Sequence, residues 1–196
     1  MLIFCPFFIV LEKILSQMNA PESLEDLLLV ETSRRNADLI AGLIRRKPSI
    51  FGELMEVVFL NKEPVSRRAA WVMDIVSETQ PELVLPYLEE IARQIDTFTH
   101  DGMKRESIKV LARSPLVKEQ FGPLMNICFR WLVSPAESVA VKMFSMELLY
   151  RMSEQEPELK RELADSIEWR MQEESPGFKN RGRKLLILLN REISRH

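Results

Sequence analysis

Cysteine and histidine are nearly missing from this 196-residue sequence, which holds two of each. Cys5 and Cys128 cannot build a disulfide framework or a Cys-rich zinc site, and His100 and His196 leave little for metal ligation. The expectation is a cytoplasmic protein of a reducing compartment, with neither metal nor cofactor. An excess of one charge is also lacking: 27 Lys and Arg stand against 29 Asp and Glu, a formal net charge of -2. That balance excludes a chain basic throughout and an acidic disordered tail, so any electrostatic function has to be local. Long apolar runs are absent too. Residues 1–11, MLIFCPFFIVL, are almost wholly apolar but fall short of the roughly 20 residues that span a bilayer. They also lack the basic opening and small-residue cleavage site of a signal peptide.

The motifs of common chemistries are missing in the same way. There is no Walker A sequence, no GxGxxG after a strand and no HExxH, so phosphate-cradling and zinc-hydrolase readings lack their carriers. A Ser or Cys nucleophile needs a base, and the only internal histidine, His100, sits in Thr97-Phe98-Thr99-His100-Asp101-Gly102, which reads as a solvated loop. Glu89 and Glu90 are adjacent, point apart on a helix, and make no carboxylate pair. No catalytic residue is assigned.

What is present is helical spacing. From Ser23 onward apolar residues recur at the helical period, and strand alternation is essentially absent. The pattern predicts helices over 23–30, 33–46, 49–60, 65–79, 82–98, 103–113, 116–133, 137–153, 157–173 and 178–194. Pro48, Pro64, Pro81, Pro115, Pro135, Pro157 and Pro176 fall at the joints, where a missing N–H and a fixed φ start or stop a helix. Ser23, with Asp26 three residues on, reads as an N-cap. Residues 1–17 are expected to be an N-terminal apolar extension or capping segment, upstream of a natural start at Met18, and 18–196 a single domain. Met143, Met146 and Met152 read as core fillers. Trp71, Trp131 and Trp169 read as core or groove-edge residues.

Two internal echoes set a period. SETQPEL at 77–83 returns as SEQEPEL at 153–159, and FGELMEVVF at 51–59 returns as FGPLMNICF at 121–129. Offsets of 76 and 70 are each two units of a helix pair. The pairs then sort into A helices (49–60, 82–98, 116–133, 157–173) and B helices (65–79, 103–113, 137–153, 178–194). The stretch Glu63-Pro64-Val65-Ser66-Arg67-Arg68-Ala69-Ala70-Trp71-Val72, an acidic turn followed by Val, a basic residue and paired alanines, resembles the second helix of HEAT repeats and their armadillo-like relatives. Gly102-Met103-Lys104-Arg105-Glu106-Ser107 and Phe178-Lys179-Asn180-Arg181-Gly182-Arg183 keep parts of it. The resemblance implies an all-α fold, a right-handed α-solenoid of antiparallel helix pairs whose B helices line the concave face.

Charge is sorted by helix class. Taken with their flanking turns, the A stretches 49–60, 82–98, 116–133 and 153–175 sum to -9 and the B stretches 64–76, 103–114, 138–152 and 176–195 to +10. Combined with the resemblance, this implies an acidic convex side and a basic inner groove. Arg67, Arg68, Lys104, Arg105, Lys142, Arg181, Arg183 and Lys184 fall early in B helices, where positive charge opposes the helix dipole, so local stability does not account for them. With Trp71 they form the candidate binding stripe. The expected function is a non-catalytic scaffold for a protein or peptide with an acidic surface, without membrane insertion. The alternative is a nucleic-acid binder. Arg68, Trp71 and Asp74, spaced i, i+3, i+6 on one face, are similar to the cation, aromatic and carboxylate set of HEAT-like alkylation-repair DNA glycosylases. That alternative requires Asp74 exposed beside Trp71, and both readings turn on whether the basic residues face solvent as one stripe.

Overall fold

In the computed structural model, which describes residues 23–115 and 121–194, serine opens several of the helices and proline follows their ends. Ser23 Oγ accepts the Asp26 N–H at 3.2 Å and starts α1 (Leu24–Leu29). Ser33 Oγ accepts the Asn36 N–H at 3.0 Å and starts α2 (Arg34–Arg46). Each cap satisfies one N–H that a helix start leaves without an intrahelical acceptor. Then come α3 (Ile50–Phe59) and α4 (Val65–Thr79). Their joint holds Asn61 at φ 50°, a left-handed conformation that Asn adopts more readily than most residues. Its side-chain amide donates to the Thr97 carbonyl at 3.1 Å, tying this turn to the next unit.

The helix expected over 82–98 is broken. Turns of 3-10 helix cover Pro81–Leu83, Leu85–Tyr87 and Ile95–Thr97, and only α5 (Leu88–Gln94) between them is α-helical. Pro86 is the physical reason: it offers no N–H, and inside an α-helix its ring would meet the carbonyl four residues back. The rest follows as α6 (Asp101–Arg113), α7 (Phe121–Val133), α8 (Val139–Gln155), α9 (Leu159–Arg170) and α10 (Pro176–Ile193). Both α6 and α10 begin two residues before their expected starts, because His100 and Ser175 serve as caps. Residues 1–17, and 116–120 of the expected helix 116–133, lie outside the described residues.

Lys47, Gln80, Ser114 and Glu156 each precede a proline, and each leaves the helical region with ψ of 81°, 64°, 157° and 78°. Proline Cδ disfavours the α conformation in the residue before it, so the chain stops at these four places for one reason. The echo between 77–83 and 153–159 is therefore structural. Ser77 Oγ donates to the Asp74 carbonyl and Ser153 Oγ to the Tyr150 carbonyl, both at 2.7 Å, while the N–H groups of Gln80 and Glu156 close the last turns.

The even-numbered helices form a row in which α2 packs on α4, α4 on α6, α6 on α8 and α8 on α10. Each also packs on the helix before it, pairing α1 with α2, α3 with α4, α5 with α6, α7 with α8 and α9 with α10. We keep the names A and B for the odd and even members. A single apolar core runs through them, with Leu54, Met73, Met103, Leu124, Met146 and Leu163 all at 0% exposure. Sharing that core is what makes each pair stable, since one pair alone cannot cover its apolar stripe. Ala69 and Ala70 are fully buried in α4, where small side chains permit close helix approach. At Gly182 a Cβ would meet Met171 Sδ at 2.9 Å and Ile167 Cγ2 at 3.0 Å, so α10 closes onto the end of the preceding helix through a missing side chain. Met146, Met152 and Trp131 are core residues, whereas Trp169 is 56% exposed. No helix among the described residues is long and apolar enough to cross a membrane.

Candidate functional site

The B helices α4, α6, α8 and α10 share one sequence register. Four residues after the caps Pro64, His100, Ser138 and Ser175 stand the cations Arg68, Lys104, Lys142 and Lys179. One residue before the caps stand Glu63, Thr99, Glu137 and Glu174. Stacking places the cation of one unit against the carboxylate that precedes the next cap. Lys104 Nζ meets Glu137 Oε1 at 2.6 Å, with the ammonium 5.2 Å from the centroid of the Trp131 ring. Lys142 Nζ meets Glu174 Oε1 at 2.5 Å, their side chains only 3% and 5% exposed, and Arg170 Nε donates to the same oxygen at 2.8 Å. Burial alone would raise the Glu174 pKa, but the hydrogen bonds from Lys142 and Arg170 outweigh it and hold this carboxyl below the ordinary range. Where the acid is missing, at Thr99, the register changes. Arg68 donates from Nη1 to the Leu28 carbonyl at 2.8 Å, capping the end of α1, and its Nε is buried without a partner.

The other residues of the expected stripe are placed as follows. Arg67 pairs with Glu63 at 3.0 Å one helical turn away. Trp71 is half-buried and lines a small cavity with Leu28, Asn36 and Arg68. Arg105 pairs with Glu106 at 2.6 Å and keeps 45% of its side chain exposed. Arg181 reaches across to Glu147 of α8, also 45% exposed. Arg183 and Lys184 are exposed on α10, with no ion pair among the described residues. A single stripe of solvent-facing cations is thus not what the fold makes. Lys142 is buried and Lys104 nearly so, because each neutralises a carboxylate of the adjoining unit, while Arg67, Arg105, Arg181, Arg183 and Lys184 keep access to water.

Asp74 does not face a groove beside Trp71. It is 3% exposed and is held by Lys109 and by Arg113, the latter at 2.6 Å, so two cations of α6 fasten α4. Lys109 also meets Glu106 at 2.8 Å. Burial works against its charge, yet the hydrogen bonds to Asp74 and Glu106 raise its pKa overall. The exposed Asp74 required by the glycosylase alternative is therefore absent. His100 is likewise not a free loop side chain: its Nδ1 accepts the Gly102 N–H at 2.9 Å as the cap of α6. Among the described residues no group of three or more His, Cys, Asp or Glu is placed to hold a metal.

A cleft of about 290 Å³ opens between α8, α10 and the end of α6. Arg151, Arg181 and Lys184 stand around it against one carboxylate, Glu147, and Leu185, Leu188 and Tyr150 supply apolar surface. Sequence reasoning singled out Arg181 and Lys184 but missed Arg151 and the bridging acids Glu137 and Glu174. The acids carried a signal: each stands immediately before a serine cap, 33 or 32 residues after the lysine it meets.

The HEAT repeat domain family matches residues 24–188. No curated protein and no solved structure gives a match.

Proposed function

Because the chain belongs to the HEAT-repeat family, whose repeats commonly serve as scaffolds for protein interactions, we propose that it is a non-catalytic scaffold for an acidic protein or peptide. In this reading its helix pairs are antiparallel, stack as a right-handed solenoid, and offer the partner the concave B-helix surface. The observation that carries the proposal is the sorting of charge, -9 over the A stretches against +10 over the B stretches in a chain of net charge -2. The ion pairs between units bury Lys104 and Lys142, whereas Arg181, although paired with Glu147 of the adjoining unit, and Arg67, Arg105, Arg183 and Lys184 keep the access to water that a partner needs. A preformed surface loses little conformational entropy on binding, and its cations steer an acidic partner toward it.

The test is fluorescence anisotropy with labelled polyglutamate, polylysine, and duplex and single-stranded DNA, at low and at physiological salt. Polyglutamate should bind in a salt-dependent way, polylysine should not, and the Arg105→Glu/Lys184→Glu double variant should lose the polyglutamate signal. DNA binding that falls steeply with salt, without polyglutamate binding, replaces this reading with the nucleic-acid one. Binding of neither polyanion removes both.

A further inference from the structure

The cleft between α8 and α10 joins positive charge to exposed apolar surface, a combination that a purely electrostatic surface lacks. On α10, Arg181, Lys184, Leu185 and Leu188 are spaced i, i+3, i+4, i+7 and so form one face. Across from them, Arg151 of α8 is fixed in place. Its Nη1 donates to the Ala112 carbonyl and, at 3.2 Å, to the Ser114 carbonyl, closing the end of α6, and the residue lines the cleft with its other guanidinium donors outside these bonds. Arg181 is steadied through one amino group by Glu147, and Lys184 has no carboxylate among the described residues. Leu185 is 7% exposed and forms the floor, whereas Leu188 is 43% exposed, a large apolar side chain left facing water next to three cations.

We infer that this cleft takes a short acidic peptide segment in which a carboxylate adjoins an apolar side chain. The carboxylate meets Lys184 and the free donors of Arg181 and Arg151, and the apolar side chain covers Leu188 above Leu185. The inference rests on the scaffold reading and gives it a subsite and a ligand chemistry. Charge decides the sign of the ligand, three cations against one carboxylate. Size decides its length, since 290 Å³ lies at the low end of the roughly 300–1,000 Å³ usual for ligand pockets and suits one or two side chains rather than a folded element. Apolar surface decides its class, because a nucleic-acid backbone would satisfy the cations and leave Leu188 uncovered.

The experiment uses the full chain and three labelled, end-blocked pentapeptides: Asp-Leu-Glu-Leu-Asp, its amide counterpart Asn-Leu-Gln-Leu-Asn, and Asp-Gly-Glu-Gly-Asp. The variants Lys184→Glu and Leu188→Ser alter exposed positions, and Arg93→Glu, at an exposed position of the A helix α5, lies outside both the cleft and the B-helix surface. A thermal melt of each variant checks that it remains folded. The acidic apolar peptide should bind at least about tenfold more tightly than either control, and each cleft variant should weaken it about tenfold, while Arg93→Glu leaves it within about twofold. Binding that is indifferent to Lys184→Glu or Leu188→Ser overturns the cleft assignment. So does equal binding of the glycine peptide, equal competition by single-stranded DNA, or no binding of any pentapeptide. If polyglutamate still binds in those cases the scaffold reading survives without this subsite. If polyglutamate fails as well, both fall together.

Discussion

Replacing Glu174 by Gln should be far more damaging than replacing Lys142 by Met, although the two side chains form one ion pair. Both are almost fully buried, and Arg170 Nε shares the same carboxylate oxygen at 2.8 Å. Removing the carboxylate leaves Lys142 out of water with no counter-charge and Arg170 with only the exposed Glu173, 3.5 Å away, and breaking a buried pair in that way costs about 3–5 kcal/mol. Removing the lysine leaves Glu174 with Arg170 and puts a side chain of similar length into an apolar setting, at a cost under about 1.5 kcal/mol. For a chain of this size 1 kcal/mol moves the melting temperature by about 2–4 °C. The expected losses are therefore about 6–20 °C for Glu174→Gln and at most about 6 °C for Lys142→Met. The pH dependence gives a second readout. The folded-state pKa of Glu174 is depressed, so its contribution is present above the unfolded value near ~4.3 and is lost as pH falls through the lower folded value. Glu174→Gln should flatten that part of the acid limb. Thermal and urea unfolding of both single variants and the double variant, followed by far-UV circular dichroism from neutral to acid pH, measures all of this. Equal losses for the two single variants, or a Glu174→Gln loss below about 1 kcal/mol, would refute the argument that Arg170 and Lys142 depend on one carboxylate.

Further outcomes are expected elsewhere. Asp74→Asn removes the shared partner of Lys109 and Arg113 and should cost about 2 kcal/mol in urea unfolding without changing polyglutamate binding; a loss of polyglutamate binding in a folded variant would contradict its placement. The Cys128 thiol, enclosed in the core, is pushed up to about 12 by burial, against a lesser opposing effect of Ser145. In a Cys5→Ser background it should resist iodoacetamide until the chain unfolds, and rapid labelling of the native protein would show the site open. The Tyr150 hydroxyl donates to Glu192 at 2.8 Å, and that bond, with burial second, lifts its pKa to about 12. Its contribution to stability is present below the unfolded value near ~10 and is lost as pH rises through 12. Glu192→Ala should lower the tyrosinate midpoint, read by absorbance in a Tyr87→Phe background; an unmoved midpoint would remove Glu192 as the cause. Ser138→Ala, which deprives Val141 N–H of its acceptor, should cost about 1 kcal/mol by the same unfolding assay.

The helices were legible because their punctuation is local. Proline after Lys47, Gln80, Ser114 and Glu156, and serine at 23, are read from single positions, and the backbone obeys them. Pro86 carried the same information, yet the apolar spacing around Leu85, Leu88 and Ile91 outweighed it in the reading of a continuous helix. The site was less legible because exposure is a tertiary property. Lys142 and Lys184 look alike in sequence, and what separates them is a carboxylate brought to one by the adjoining unit and withheld from the other. Asp74 shares a helix face with Trp71, and yet the arrival of α6 turns it from a surface acid into a buried anchor.

The offset between each lysine and its carboxylate also bears on how such an array could be rearranged. Lys104 finds its partner at Glu137 and Lys142 at Glu174, each one unit further along. The segment containing α6 offers Thr99 at the corresponding place, and Arg68 has turned to the Leu28 carbonyl instead. Neighbours are therefore not interchangeable modules. Excising the α5 and α6 unit so that α4 adjoined the unit bearing Glu137 would present Arg68 with an acid it now lacks and compete with its hold on α1. Reversing the order of the last two units would keep a glutamate before both caps and bring Thr99 into no new junction. The linear order of the units is thus written in part as an address code of charge, tolerant of some permutations and hostile to others.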